Sequence, residues 1–183
     1  FSIGKDFRLG IDAAASEFYD GSTELYRLKL DKKQLDYQKL TELYQAWVDK
    51  YQLEIIEDGC AQDDLTGWQY MTKILGPKIG LVGDDLFVTD SNRIEVGAAT
   101  GLANAVLIKP NQIGTISETI AAIKTAKNHG YKVIVSHRSG ETADDFIADL
   151  AVAAAVDYIK AGAPNRGERV AKYNRLLAIE SSL

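Results

Sequence analysis

Short β-branched runs alternate with longer stretches of helical spacing along this chain, with Gly, Pro or acidic residues between them. Phe7-Arg8-Leu9-Gly10-Ile11 reads as a strand ending at Asp12, and residues 13–21 follow as a loop. Leu25-Tyr26-Arg27-Leu28-Lys29-Leu30 alternates as a hairpin arm does. Asp31, with Gln34 three residues on, resembles a capping box, and Leu35, Leu40, Leu43, Trp47 and Val48 give one apolar helical face ending near Tyr51. Strands are then expected at 53–56, 79–83, 105–108, 131–135 and 157–160. Helices are expected at 65–75, stopped by Gly76-Pro77, and at 92–100. Another starts at a Thr115/Glu118 capping box and runs to Gly130, and two more lie near 144–155 and 168–180.

Six strand-then-helix units imply a parallel α/β sheet with right-handed crossovers. The later units recur every ~25 residues, which suits a TIM-type (β/α) barrel. No Gly-x-Gly-x-x-Gly follows the first strand, so a dinucleotide-binding fold lacks its signature. A closed barrel of this type needs eight units, so the expectation is about six of eight, with two outside these residues. Phe1 is not a start methionine, and the chain reads as an excerpt or a processed piece.

In a barrel the strand ends converge on one mouth. Here those ends are Asp12, Glu57, Asp84, Lys109, His137 and Lys160, all ionisable. Asp12, Glu57 and Asp84 come from successive strands and make a hard oxygen set suited to Mg²⁺. The alternative for any one of them is a solvated loop charge. Lys109, near a divalent cation and a second lysine, is a candidate base; otherwise it balances the acids. Lys160 is a second cation for an anionic substrate or intermediate. His137 can be a ligand, an acid or a satisfied polar residue. Ser136-His137-Arg138-Ser139-Gly140-Glu141-Thr142 joins a strand to a helix, where Arg138 offers a bidentate fork to phosphate or carboxylate and Ser139 a further donor. His129, before Gly130, reads as a surface residue at a helix C-terminus, and Trp47 and Trp68 read as packing.

Of the 183 residues 46% are hydrophobic and 26% charged, ordinary for a globular domain. A net charge of -5 and a pI near 5.1, with no Lys/Arg run, argue against nucleic acid as a partner. No apolar run approaches the ~20 residues of a membrane helix. The lone Cys60 allows no internal disulfide, so a reducing, cytoplasmic location is expected.

These motifs resemble the enolase family over nearly the whole chain. The His137–Arg138–Ser139 loop is similar to the family's substrate loop, and Ile108-Lys109-Pro110-Asn111-Gln112-Ile113-Gly114-Thr115 to its catalytic-lysine segment. Val82-Gly83-Asp84-Asp85-Leu86-Phe87, Ile56-Glu57-Asp58 and Asp12-Ala13-Ala14-Ala15 resemble its metal-ligand segments. Ile159-Lys160-Ala161-Gly162-Ala163-Pro164 and Arg169-Val170-Ala171-Lys172-Tyr173-Asn174-Arg175 resemble its end. Departures occur at Gly59-Cys60, Gln62, Ala143, Ala161 and Gly167, none of them at a position given to metal or proton transfer.

The resemblance implies a phosphopyruvate hydratase, a lyase of glycolysis and gluconeogenesis that converts 2-phosphoglycerate to phosphoenolpyruvate with two Mg²⁺ per site. It implies Asp12, Glu57 and Asp84 as metal ligands and Lys109 as catalytic base. Glu57, Asp84, Ser136, His137, Arg138, Ser139 and Lys160 would line the substrate. It further implies that residues 1–183 are the C-terminal barrel portion. The N-terminal α+β domain, the first two barrel strands and the general-acid glutamate would lie outside, and the full chain would be a homodimer or larger. The segment alone is then expected to be inactive. The alternatives are another dehydratase or racemase of the superfamily, or a non-catalytic binding protein.

Overall fold

Strands here are short because each need only cross a barrel wall, and the central ones are apolar because both faces are covered, while the two edge strands stay partly exposed. The computed structural model describes residues 1, 2 and 4–183. Six parallel strands form one sheet: β1 (Leu9–Asp12), β5 (Leu53–Glu57), β6 (Gly80–Gly83), β7 (Ala105–Ile108), β8 (Lys132–Ser136) and β9 (Tyr158–Lys160), in that order. Helices α1 (Tyr37–Tyr51), α2 (Leu65–Leu75), α3 (Ser91–Thr100), α5 (Ile116–Asn128), α6 (Phe146–Ala153) and α7 (Gly167–Glu180) follow the strands, as the alternation predicts. No described helix is long and apolar enough to cross a membrane.

The sheet is curled. Strands β1 and β9 are its two edges, five spacings apart, which in a flat sheet is ~24 Å, beyond the reach of any side chain. Yet Lys160 Nζ on β9 lies 3.0 Å from Asp12 Oδ2 on β1. The curl divides the apolar side chains. Val106, Ile108, Val133 and Val135 pack outward with Trp68, Met71 and Ile94 of the helices, while Val82, Ala105, Leu107 and Ile134 form a separate inner cluster with Ile55. This is the layered interior of a partial barrel.

The segment after β1 departs from the reading. Residues 13–21, expected as a loop, contain a 3-10 turn (Ala15–Phe18) and strand β2 (Tyr19–Asp20). β2, β3 (Leu25–Leu28) and β4 (Lys33–Leu35) form an antiparallel sheet. Asp31 therefore caps nothing. Gln34 pairs with Arg27 across the sheet, and Asp36 is the cap of α1, accepting the Lys39 N–H at 2.8 Å. The hairpin wins because it seats Tyr26, fully buried, against the loop after β5. There the Tyr26 hydroxyl donates to Asp64 Oδ2 (2.7 Å) and accepts the Ala61 N–H (3.0 Å). A one-turn helix α4 (Pro110–Ile113), which periodicity cannot reveal, follows β7. Thr115 caps α5 by accepting the Glu118 N–H, Trp68 is buried, and His129 is exposed at the C-cap of α5.

Candidate active site at the carboxyl ends of the strands

Parallel pairing aligns the strand ends. Asp12 lies beside Glu57, and Ser136 beside Lys160. Backbone bonds continue past each strand: Ala13 N–H to Glu57 O, Asp58 N–H to Val82 O and His137 N–H to Lys160 O, all 2.9 Å. The mouth is thus held at its rim. Several non-glycine residues in its loops are left-handed, among them Ala14, Asp58, Val88 and Thr89, with φ of 45°, 43°, 43° and 61°. Such backbone costs ~1–3 kcal/mol at each position and collects at functional sites. Val88 and Thr89 are β-branched, where it is least tolerated.

Two lysines hold the three predicted ligands. Lys160 Nζ donates to Glu57 Oε1 and Oε2 at 2.8 Å each and to Asp12 Oδ2. Lys109 Nζ pairs with Asp84 Oδ2. Glu57 and Asp84 are buried, whereas Asp12 is half open to solvent. Burial pushes the Glu57 carboxyl up and the Lys160 contacts pull it down. Burial likewise works against the Lys160 ammonium, but Glu57 and Asp12 outweigh it and raise its pKa, so this lysine stays charged. Asp84 is close enough to oppose ionisation of Glu57.

Among the described residues, the acids whose ligand atoms lie within 4.8 Å of one another are Asp58, Asp84 and Asp85, not the predicted trio. The trio is instead divided between the two ammonium groups. Asp58 has a different task. Its Oδ1 accepts the Asp84 N–H (2.8 Å) and its Oδ2 the Asp85 N–H (3.0 Å), which sets the turn that aims Asp84. Burial lifts its carboxyl to about 7 against those two bonds. The oxygens of Asp12 and Glu57 already grip one compact cation, and with Asp84 they form a hard donor set, so the residues fit Mg²⁺ by donor chemistry.

Lys109 is placed by Thr89 and Gln112. Thr89 Oγ1 accepts the Lys109 N–H (2.9 Å) and donates to Gln112 Oε1 (2.8 Å), and Gln112 Nε2 donates to Asp84 Oδ1 (3.3 Å). Thr89 and Gln112 carry no sequence signal of this role beyond their nearness to Asp84 and Lys109.

The 136–142 loop sits beside these groups. Ser136 is buried and its hydroxyl donates to His137 O, so it is spent on the backbone. Arg138 donates to Asn111 Oδ1 (3.1 Å), and Ser139 is exposed. Behind the loop two buried cations of α7 hold it. Arg169 donates to Arg138 O (2.8 Å) and Ser139 O (2.9 Å). Lys172 donates to Glu141 Oε2 (2.8 Å), Thr142 O and Glu168 O (2.7 Å each). Glu141 in turn accepts the Arg138 N–H (3.1 Å). A signal for this pair existed in the sequence. Arg169 and Lys172 are three apart on one helical face, but their burial is invisible without the fold.

Two departures from the motif pattern are accommodated by packing. Cys60 is buried, and a Cβ on Gly59 would lie 2.8 Å from Met71 Sδ, so Met71 fills the space a larger residue would take. A groove of about 460 Å³ between α2 and α3, bordered by Leu65, Phe87 and Val96, contains none of the mouth residues.

The family described as "Enolase, C-terminal TIM barrel domain" matches residues 2–183. Over all 183 residues the chain is 52% identical to Enolase 1 of Methanospirillum hungatei, covering 42% of that protein. It is 50% identical to the enolase of Helicobacter pylori, covering 43% of it. The chain thus spans about two fifths of the length of these curated relatives.

Proposed function

This chain belongs to the enolase C-terminal TIM barrel family, and we propose that it is the catalytic barrel portion of a phosphopyruvate hydratase, dehydrating 2-phosphoglycerate to phosphoenolpyruvate. In this reading the N-terminal domain, the first barrel strands and the general acid come from the rest of a full-length chain. A homodimer or larger assembly in the cytoplasm accompanies it. The observation that carries the reading is the pairing of Lys109 with Asp84, and of Lys160 with Asp12 and Glu57, in one mouth.

The chemical problem is the α-proton of a carboxylate, which is very weakly acidic. Its removal is feasible only where charge building on the carboxylate oxygens is neutralised. Mg²⁺ held by Asp12, Glu57 and Asp84 would supply that neutralisation as a Lewis acid. Lys160, already aimed at the same carboxylates, adds a hydrogen-bonding positive charge to the intermediate. Lys109 Nζ, acting as the neutral amine, takes the α-proton, and the general acid from the rest of the full-length chain protonates the departing hydroxyl, which leaves as water. The Lys109 backbone is fixed by Thr89, and the direction of its side chain by the Asp84–Gln112 contact. Arg138 and Ser139 hold the phosphate, and His137 lies at the same rim.

The test is made in the full-length enzyme with Mg²⁺. Lys109→Ala is expected to abolish both phosphoenolpyruvate formation and exchange of the α-proton with deuterated solvent, with little change in substrate affinity, because a base acts in the transition state. Exchange that persists in this variant would assign the proton to another group.

A further inference from the structure

We propose that Arg169 of α7 is a positioning residue that sets the tautomer of His137, so that the ring presents Nε2–H at the mouth, and that holds the backbone of Arg138 and Ser139 for the anionic end of the substrate. The proposal rests on the reading given under Proposed function and assigns a role to a residue outside the strand-end set.

Arg169 is only 8% exposed, and each contact of its guanidinium falls on this loop. Its NH1 lies 2.6 Å from His137 Nδ1 and 2.8 Å from Arg138 O, and its NH2 lies 2.9 Å from Ser139 O. A guanidinium has donors only. His137 Nδ1 must therefore accept, which leaves the ring neutral with its proton on Nε2. No hydrogen bond to Nε2 is present among the described residues, so this N–H remains available to a ligand. The surroundings act in the same direction. Burial, then Arg169 and Lys160, push the imidazole below its ordinary pKa.

The backbone was shaped for the contact. Gly162, in the loop after Lys160, has φ +87°, and a Cβ there would lie 2.9 Å from Arg169 Cδ and 3.2 Å from His137 Cε1. Only glycine lets the guanidinium stem and the imidazole pass side by side at this point. Lys172, one turn further along α7, fixes the other end of the loop through Glu141. The loop carrying Arg138 and Ser139 is thus held by two buried side chains of one helix.

The experiment uses the full-length enzyme with ¹⁵N-labelled histidine. The His137 signal is assigned by its loss in His137→Gln. Wild type is expected to show unprotonated Nδ1 and protonated Nε2 before substrate is added. In Arg169→Ala the two tautomers should mix, and KM for 2-phosphoglycerate should rise ~10–100-fold, as for loss of other groups that orient a ligand-binding side chain, with a smaller change in kcat. Added guanidinium should restore part of both. A wild-type Nδ1–H tautomer overturns the proposal whether or not the variant folds. So does a folded Arg169→Ala that keeps both the wild-type tautomer and the wild-type KM. A wild type that binds no 2-phosphoglycerate and forms no phosphoenolpyruvate refutes the proposed function instead, and its histidine spectrum then decides the tautomer by itself.

Discussion

Replacing Lys172 by Met removes a buried charge while keeping most of its volume. Lys172 is 1% exposed, and its ammonium satisfies Glu141 Oε2 and the carbonyls of Thr142 and Glu168. Breaking a buried pair from one side costs ~3–5 kcal/mol, because the remaining charge is left uncompensated. Glu141 is 16% exposed in its side chain and keeps two backbone donors, Arg138 N–H and Thr142 N–H, so the lower end, ~3 kcal/mol, applies. At 1.36 kcal/mol per decade this is an increase of ~100-fold in local opening. The assay is amide hydrogen exchange of the 138–142 loop in the full-length enzyme at pH 7, which reads local opening rather than unfolding of the whole chain. The Arg138 and Thr142 amides should lose protection ~100-fold in Lys172→Met, and distant amides of β7 should not change. The effect should also fade in acid. Glu141 loses solvation, but the Lys172 and backbone contacts outweigh that and hold its carboxyl below the ordinary glutamate value. Its stabilising contribution is therefore present above that ordinary value, about 4.5, and is lost as pH falls through the lower folded one. Protection that changes less than ~3-fold at pH 7 would refute the reasoning, since an opening cost of ~3 kcal/mol cannot hide in that range.

Asp58→Asn keeps the shape but offers one acceptor oxygen to two backbone N–H groups, so it should destabilise the turn by ~1–3 kcal/mol, read as faster exchange at Asp84 or Asp85. His137, whose pKa is lowered by burial and by Arg169 and Lys160, folds best as the neutral ring. Stability from this group is complete above the ordinary value of 6.5 and declines as pH falls toward the lower folded one, so the unfolding midpoint should fall more between pH 7 and 5.5 in wild type than in His137→Gln.

Periodicity along the chain determined a large part of the architecture. The runs at 53–56 and 105–108 became β5 and β7, and the apolar spacing at 65–75 became α2 with the expected bounds. Both signals are local, because a strand buried on two faces and a helix buried on one each write their pattern into adjacent residues. The same locality let Asp12, Glu57, Asp84, Lys109 and Lys160 be named as strand-end groups. Where two local solutions compete, the pattern does not decide. Asp31 and Asp36 are equally good caps as residues, and Asp36 prevails because strand β4 pairs with β3 and seats Tyr26 against the loop after β5. Curvature lies wholly beyond the pattern. Asp12 and Lys160 are 148 positions apart and meet because the sheet closes part of a circle, which divides the three acids between two lysines rather than grouping them together. The buried pair of Arg169 and Lys172 is likewise a product of docking α7 behind the 136–142 loop. A charged residue on a helix reads as solvent-facing until the fold supplies acceptors for it, and here those acceptors are carbonyls and a carboxylate from residues about thirty positions away.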